Sequence, residues 1–349
     1  ELTLIRPEPL ANEVEWVPFT KRMDPQEAVD DLVAGTYVLV KDFYSSGLLV
    51  LSELRKYIRQ HYADESYEGQ RESRAAFREF SNRLLLRVRD HRLVARKAPA
   101  IGWLSILYPG TNDFLLSFAQ VQGLNSAWQW YQKGISIPVL GGKVFPFYGT
   151  YFPTRFEHLE LLETWLKEYQ GSKASVVGGG VITYQLLNHG FAKVVATDAN
   201  PNAIHGMQEA ITKRKLTAKV ELLWGDLFAR CDHQTDFIVF NPPWLPLAGD
   251  NEGIDQAMYY DGDLFPRFFA EAVKHLKPEG KLVLLFSNLA RITQVADTNP
   301  IEEELKTGGR FAKELLRKSK VKPASKQTRR NQTWRETEEV ELWVLRARN

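Results

Sequence analysis

Residues 175–199 indicate the type of fold. Their sequence is SVVGGGVITYQLLNHGFAKVVATDA. Its apolar run Ser175–Val177 predicts a buried strand, and three glycines separate this run from a predicted helix, Ile182–His189. A second apolar run, Ala192–Thr197, ends directly before Asp198. Strand, glycine loop, helix and strand in this order are typical of parallel sheets whose ligands bind beyond the strand ends.

The same alternation continues on both sides of this stretch. The pattern predicts a hairpin over Lys143–Phe152 and then helices and strands in regular alternation. The predicted helices are Phe156–Tyr169, Asn200–Arg214 and Leu264–Leu276, and the predicted strands are Lys219–Leu223, Asp236–Phe240, Lys281–Phe286 and Val340–Arg346. We therefore expect residues 143–349 to form an α/β, Rossmann-like domain with a mainly parallel sheet.

Residues 1–142 have a different pattern. Ser46–Tyr62 carries leucines and an isoleucine at helical spacing, and Gln70–Leu93 repeats the pattern with an arginine-rich outer face. These residues are predicted to form a mainly helical N-terminal domain, which we expect to recognise the substrate.

Composition excludes several classes of protein. Apolar residues make up 44% of the 349 residues, as in globular proteins, and none of the apolar runs approaches the length of a membrane span. Cys231 is the single cysteine, so an internal disulfide and a cysteine-based zinc cluster are excluded, and a cytoplasmic location is expected. The seven histidines lack metal-ligand spacing, so no metal is predicted.

Positive charge is concentrated in two segments. Arg71–Lys97 holds nine basic and three acidic residues, and Lys306–Arg335 holds eleven basic residues and one acidic residue. Such asymmetry is typical of proteins that bind a polyanion, but it also fits a solvated helix face and a loop.

Polar residues after the first three predicted strands indicate a nucleoside site. The glycines Gly178, Gly179 and Gly180 let a ligand approach the backbone closely, and the helix start after them offers N–H donors. Asp198, followed by Ala199, is placed to hold ribose hydroxyls. Asp226 can accept from an adenine amino group while Leu227 covers the ring.

Asn241-Pro242-Pro243-Trp244 follows the fourth predicted strand. Successive prolines remove backbone donors and leave carbonyls free to accept. The Asn241 side-chain oxygen and the Pro242 carbonyl can each accept one N–H of a planar amide or amine, and Trp244 can stack on it. The nitrogen lone pair then points out of the plane.

From about Val144 onward the chain resembles the class I S-adenosylmethionine-dependent methyltransferases whose motif is Asn-Pro-Pro-aromatic. This group includes release-factor glutamine methyltransferases and methyltransferases of nucleobase amino groups. The resemblance implies N-methylation with S-adenosylmethionine as the cofactor. By the same resemblance, Tyr151, Pro153 and Thr154 in the segment Phe145–Glu157 border the methionine end of the cofactor.

One motif departs from the family. The family has an acidic residue and Gly-x-Gly-x-Gly at the end of the first strand, whereas Ala174–Gly180 lacks the acid and is several residues shorter. Either the loop is degenerate or the sequence is incomplete there. Because the basic segments flank the predicted site in the sequence, we expect a macromolecular substrate of the translation apparatus, RNA or a protein glutamine. A small planar metabolite and a catalytically inactive binding module are the alternatives.

Overall fold

The computed structural model describes residues 2–10, 14–62, 67–169, 171–247, 258–322 and 337–348. The chain divides into two units, Leu4–Lys133 and Gly134–Asn349. Each unit has its own sheet and its own buried apolar residues.

The N-terminal unit contains helices and a five-stranded sheet. In chain order its elements are β1 Trp16–Phe19, α1 Pro25–Ala34, β2 Tyr37–Val40, α2 Tyr44–His61, α3 Tyr67–Ser81, β3 Leu84–Arg89, β4 Arg92–Leu93, α4 Trp103–Leu107, β5 Asp113–Ser117 and α5 Phe118–Lys133. β1, β2 and β3 are parallel, and β4 and β5 are antiparallel to β3. The prediction of a mainly helical domain did not include this sheet.

The predicted helix Gln70–Leu93 is wrong beyond Ser81. Leu84, Leu85 and Leu86 are all fully buried in β3, which has neighbouring strands on both sides. Three consecutive buried leucines fit a central strand covered on both faces, whereas consecutive positions on a helix point in different directions.

The C-terminal unit contains a seven-stranded sheet. In chain order the elements are β6 Ile135–Ile137, β7 Gly142–Val144, α6 Glu157–Leu166, β8 Lys173–Val177, α7 Val181–Asn188, β9 Lys193–Asp198, α8 Pro201–Lys213, β10 Val220–Trp224, β11 Thr235–Phe240, β12 Leu245–Pro246, β13 Tyr259–Tyr260, α9 Leu264–His275, β14 Leu276–Ser287, α10 Leu289–Ile292, α11 Pro300–Glu303, β15 Phe311–Lys320 and β16 Glu339–Ala347.

The strand order in this sheet is β10-β9-β8-β11-β14-β16-β15. The first five strands are parallel, and β16 is antiparallel to both β14 and β15. One apolar cluster packs α6 and α7 on one face, and a second packs α9 on the other. This is a doubly wound α/β sheet, so the predicted Rossmann-like fold is confirmed.

Several strands differ from their predictions. The predicted hairpin over Lys143–Phe152 is wrong, because β7 ends at Val144 and pairs with β6 instead. β14 begins at Leu276 rather than at the predicted Lys281. β8 has five residues, two more than predicted, and its register with β9 and β11 is unbroken up to Val177. β15 was not predicted, and it forms the edge of the sheet beside β16. Among the described helices, none is both long and apolar enough to cross a bilayer.

Candidate active site

Four parallel strands of the C-terminal unit end side by side at one edge of the sheet. The backbone N–H groups of Gly178 and Gly179 donate to the Thr197 carbonyl at 2.9 and 3.2 Å. Trp224, the last residue of β10, pairs with Asp198 of β9. The sheet therefore brings these predicted residues to one edge: Gly178–Gly180, Asp198, Ala199, Asp226, Leu227 and Asn241.

The glycine loop between β8 and α7 has open space above it. Gly178 and Gly180 have φ of +71° and +73°, and a Cβ added to either would meet no atom within 4 Å. Gly179 is different, because its Cβ would lie 2.5 Å from the Met207 sulfur. The Gly180 N–H donates to the same sulfur. The loop can therefore pass beneath a ligand as predicted, but the N–H groups of these three glycines are already used within the protein.

Asp198 lies at the centre of this edge. Its Oδ1 accepts from the Asn200 backbone N–H at 2.9 Å, and its Oδ2 accepts no hydrogen bond from the described residues. Burial raises the pKa of Asp198 to about 6, against the lowering effect of the Asn200 hydrogen bond. A partly buried carboxylate with an unused oxygen is suited to accept hydrogen bonds from ligand hydroxyls.

Asp226 and Leu227 differ in environment. Asp226 is exposed, and its Oδ2 accepts from the Arg267 guanidinium on α9. Leu227 is buried in the apolar cluster on that face. Asp226 is therefore held by an ion pair that the sequence did not indicate, while its Oδ1 accepts no hydrogen bond from the described residues.

Sequence reasoning also missed Trp224. Its indole is 40% exposed and donates to the Ala199 carbonyl at 3.1 Å. This contact fixes a flat apolar surface between the ends of β9 and β10. The available signal was an aromatic residue directly after the predicted strand Lys219–Leu223.

The segment before α6 is tied to the same edge by two asparagines. Asn200 Nδ2 donates to the Gly149 carbonyl at 2.8 Å, and Asn202 Nδ2 donates to the Tyr148 carbonyl at 2.9 Å. Asn202 is fully buried. Of the residues predicted at the methionine end, Tyr151 and Thr154 are exposed and Pro153 is buried. Neither asparagine was predicted, although Asn200 is recognisable as the N-cap of α8.

Asn241 follows β11 and carries a buried acceptor without a donor. Its Oδ1 has no hydrogen-bond partner among the described residues. An unsatisfied buried acceptor costs about 1–3 kcal/mol, and an N–H group of a ligand at this edge would remove that cost. Pro242 next to it is buried.

Trp244 is held in place by two contacts. Its Nε1 donates to the Leu285 carbonyl at 3.3 Å. Its ring makes an edge contact with His158, at 5.6 Å between centroids. His158 is 2% exposed, and burial lowers its pKa to about 4. The position of this neutral histidine beside the motif could not be predicted from the sequence.

No group of three or more histidine, cysteine, aspartate or glutamate side chains in the described ranges is arranged to hold a metal ion. The groups that this edge offers to a ligand are hydrogen-bond acceptors, the carboxylates of Asp198 and Asp226, and aromatic surfaces.

Comparison with known proteins gives this site a family context. Residues 161–314 match the methyltransferase small domain family. A protein of Methanocaldococcus jannaschii, named as a protein N5-glutamine methyltransferase, is 32% identical over 120 residues. That match covers 32% of this chain and 59% of the relative, so it spans under two thirds of the relative's length. The predicted resemblance to class I methyltransferases of the Asn-Pro-Pro-aromatic type is confirmed by these two matches.

Two solved structures are also similar. The ribosomal protein L11 methylase from Lactobacillus delbrueckii subsp. bulgaricus has a TM-score of 0.38 and 16% identity, with 57% of this chain and 83% of that chain covered. TrmN from Thermus thermophilus has a TM-score of 0.38 and 16% identity, with 68% and 57% covered.

Proposed function

We propose that this chain, whose residues 161–314 match the methyltransferase small domain, is an S-adenosylmethionine-dependent N-methyltransferase. Its acceptor would be a planar amide or exocyclic amine in RNA or in a protein of the translation apparatus. The observation that carries the proposal is the buried, unpartnered Oδ1 of Asn241 at the sheet edge that also carries Asp198.

The residues at this edge fit the cofactor. The open space above Gly178 and Gly180 would admit the part of the cofactor that faces the backbone of this loop. Asp198 would accept the ribose hydroxyls, and Asp226 would accept the adenine amino group through the oxygen that Arg267 leaves unused. Tyr151, Pro153 and Thr154 would contact the methionine end, as the resemblance implies. Bound S-adenosylmethionine supplies an electrophilic methyl group.

The residues of the motif would orient the acceptor nitrogen. Asn241 Oδ1 and the Pro242 carbonyl would each accept one N–H, which fixes the plane of the acceptor. Trp244, held by Leu285 and His158, would set the position of that plane. Holding the reacting atoms about 3 Å apart supplies a large effective molarity without acid–base catalysis. The lone pair would then face the methyl group. The N–C bond would form as the sulfonium S–C bond breaks, S-adenosylhomocysteine would leave, and the acceptor nitrogen would lose one proton to water.

The matched relative supports the glutamine alternative, because its name describes methylation of a protein glutamine. A small planar metabolite would satisfy the same two acceptors. The short loop Gly178–Gly180 supports an inactive binding module. The unpartnered acceptor of Asn241 argues against an inactive module. Leaving this acceptor without a donor costs free energy, and a binding surface without catalysis would not need it.

Mass spectrometry of RNA and release factors from a strain lacking the gene tests the substrate. We expect one methylated nucleoside or glutamine to lose its methyl group and to regain it on complementation with the wild type. Complementation with Asn241→Ala should fail. If the RNA and the release factors both keep full methylation, the proposal of a macromolecular substrate is wrong, and a small metabolite is the remaining substrate.

A further inference from the structure

The basic segment Lys306–Arg335 and a group of cations in the N-terminal unit differ in how often their charges pair with carboxylates. In the described part of Lys306–Arg335, most cations form ion pairs with carboxylates. These pairs are Arg310–Glu304 at 2.9 Å, Arg317–Glu168 at 2.6 Å, Lys318–Glu341 at 2.8 Å and Lys322–Glu160 at 2.9 Å. Residues 323–336 lie outside the described structure. Four of the seven described cations of this segment are therefore neutralised by carboxylates of the fold.

The N-terminal unit presents the opposite arrangement. Lys21, Lys41 and Arg96 come from three separate chain segments and are exposed. None of these three forms an ion pair with a described carboxylate, in contrast to Arg87 and Arg89, which share Asp113.

The backbone fixes these three cations close together. The Lys41 N–H donates to the Phe19 carbonyl at 2.9 Å, one residue after the end of β2. The Arg96 N–H donates to the Asp42 carbonyl at 2.7 Å. The Lys21 N–H donates to the Asp42 carboxylate at 3.0 Å. Three strand-end segments are thereby held side by side.

Each of the three cations lies close to an aromatic ring. Lys21 Nζ and the Arg96 guanidinium lie 5.0 and 4.2 Å from the Phe43 ring centroid. Lys41 Nζ lies 5.0 Å from the Trp16 ring centroid. Cation–π contacts position the charges without neutralising them. We call Lys21, Lys41 and Arg96, with Phe43 and Trp16, the cationic surface.

The carboxylate nearest in sequence does not neutralise the cationic surface. Asp42 Oδ1 accepts from the Phe43 N–H and from the Ser46 hydroxyl, both at 2.7 Å. Its Oδ2 accepts from the Lys21 backbone N–H. Asp42 therefore organises the backbone, and the positive charge of the three side chains stays available.

We propose that the cationic surface binds the phosphate backbone of an RNA substrate. Clustered cations without carboxylate partners match a row of phosphates, and the Arg96 guanidinium can bind one phosphate with two parallel hydrogen bonds. A glutamine in a protein presents no such row of charges. This inference deepens the proposed function by choosing RNA as the substrate class.

The test is fluorescence anisotropy with the full chain and a labelled single-stranded RNA of about 20 nucleotides, over about 50–300 mM NaCl. The triple variant Lys21→Gln, Lys41→Gln, Arg96→Gln should raise Kd at least about tenfold at low salt. It should also flatten the slope of log Kd against log salt by about 2, since each lost phosphate contact contributes about 0.7.

A matched control removes three charges that are already paired. Lys56→Gln, Lys281→Gln, Lys322→Gln changes the net charge equally, but these cations pair with Glu53, Glu314 and Glu160. This control should keep the wild-type Kd within about twofold. The charge-preserving variant Lys21→Arg, Lys41→Arg, Arg96→Lys should also bind RNA, which separates loss of charge from loss of fold.

Three results would overturn the proposal: no RNA binding by the wild type, equal loss in both glutamine triples, or equally tight binding of poly-glutamate. Binding of S-adenosylhomocysteine, measured by calorimetry on the same proteins, should be unchanged in every triple. If the wild type binds RNA as expected but does not bind S-adenosylhomocysteine, the proposed methyl transfer fails while the cationic surface stands.

Discussion

The substitution Asp198→Asn separates two effects of the buried carboxylate: its effect on the free energy of unfolding and its effect on ligand binding. The pKa of Asp198 is raised from 3.8 to about 6 by burial, so the folded state disfavours the charged form. Each pKa unit corresponds to about 1.4 kcal/mol, which gives an upper value of about 3 kcal/mol above pH 6. Because the side chain is only partly buried, we expect about 1–3 kcal/mol.

The pH dependence has a definite sign. Below about pH 4 both the folded and the unfolded chain carry protonated Asp198, so its charge costs nothing. The cost grows as pH rises from about 4 to 6 and is complete above 6. Asp198→Asn should therefore increase the free energy of unfolding at pH 8 and increase it by about half as much at pH 5. The asparagine oxygen can still accept from the Asn200 N–H.

Urea denaturation at both pH values measures the stability, with Asp297→Asn as a control at an exposed carboxylate. Calorimetry with S-adenosylhomocysteine measures how much the charge of Asp198 contributes to ligand binding. Asp198→Asn should weaken binding at least about tenfold, because charge-assisted hydrogen bonds contribute about 1.5–3 kcal/mol. Wild-type affinity should fall about tenfold from pH 8 to pH 5 as Asp198 is protonated. A variant that is less stable at pH 8, or that binds the ligand normally, would refute this reasoning.

Three further substitutions test other parts of the site. Asn241→Ala removes an unpartnered buried acceptor, so the free energy of unfolding should stay unchanged or rise by about 1 kcal/mol. The affinity for S-adenosylhomocysteine should stay the same, and the rate of methyl transfer should fall by at least about 100-fold. Near-normal turnover would contradict the role of Asn241. Gly180→Ala, at φ +73°, should cost about 1–3 kcal/mol and weaken cofactor binding, whereas Gly35→Ala, at φ +97°, should cost a similar amount and leave binding intact. Because the buried imidazole of His158 has a pKa of about 4, the wild type should lose up to about 3 kcal/mol of its free energy of unfolding as pH falls from 6.5 to 4. His158→Phe should remove this loss. Identical urea midpoints of both proteins across that pH range would contradict this.

The sheet edge could be predicted from the sequence because parallel strands carry local signals. Each of the strands β8, β9, β10 and β11 ends in, or is followed by, a glycine, aspartate or asparagine, and parallel strands end at one edge. This rule placed Gly178, Asp198 and Asn241 together without any knowledge of their contacts.

Contacts between distant elements could not be predicted. The Arg267–Asp226 ion pair joins residues 41 positions apart, and the Trp244–His158 contact joins a loop to an earlier helix. β15 was hidden because its cations pair with carboxylates elsewhere, as Arg317 does with Glu168 on the segment after α6. A basic strand of this kind has the sequence pattern of a loop until its partners are known.

The N-terminal sheet was missed for a related reason. β2 and β3 are short, and the apolar residues Val38–Val40 and Leu84–Leu86 form runs without alternation. Such runs fit a buried helix segment and a buried strand equally well in sequence. The cationic surface depends on this sheet, so it could not be assembled from the sequence.

We expect the chain to bind S-adenosylmethionine at the edge formed by β8, β9, β10 and β11. Isothermal titration of the full chain with S-adenosylhomocysteine measures this binding. We predict one site per chain for the wild type, and binding at least about tenfold weaker for Asp198→Ala. A folded wild-type chain that releases no binding heat at several temperatures and shows no rise in melting temperature with the ligand would contradict the claim.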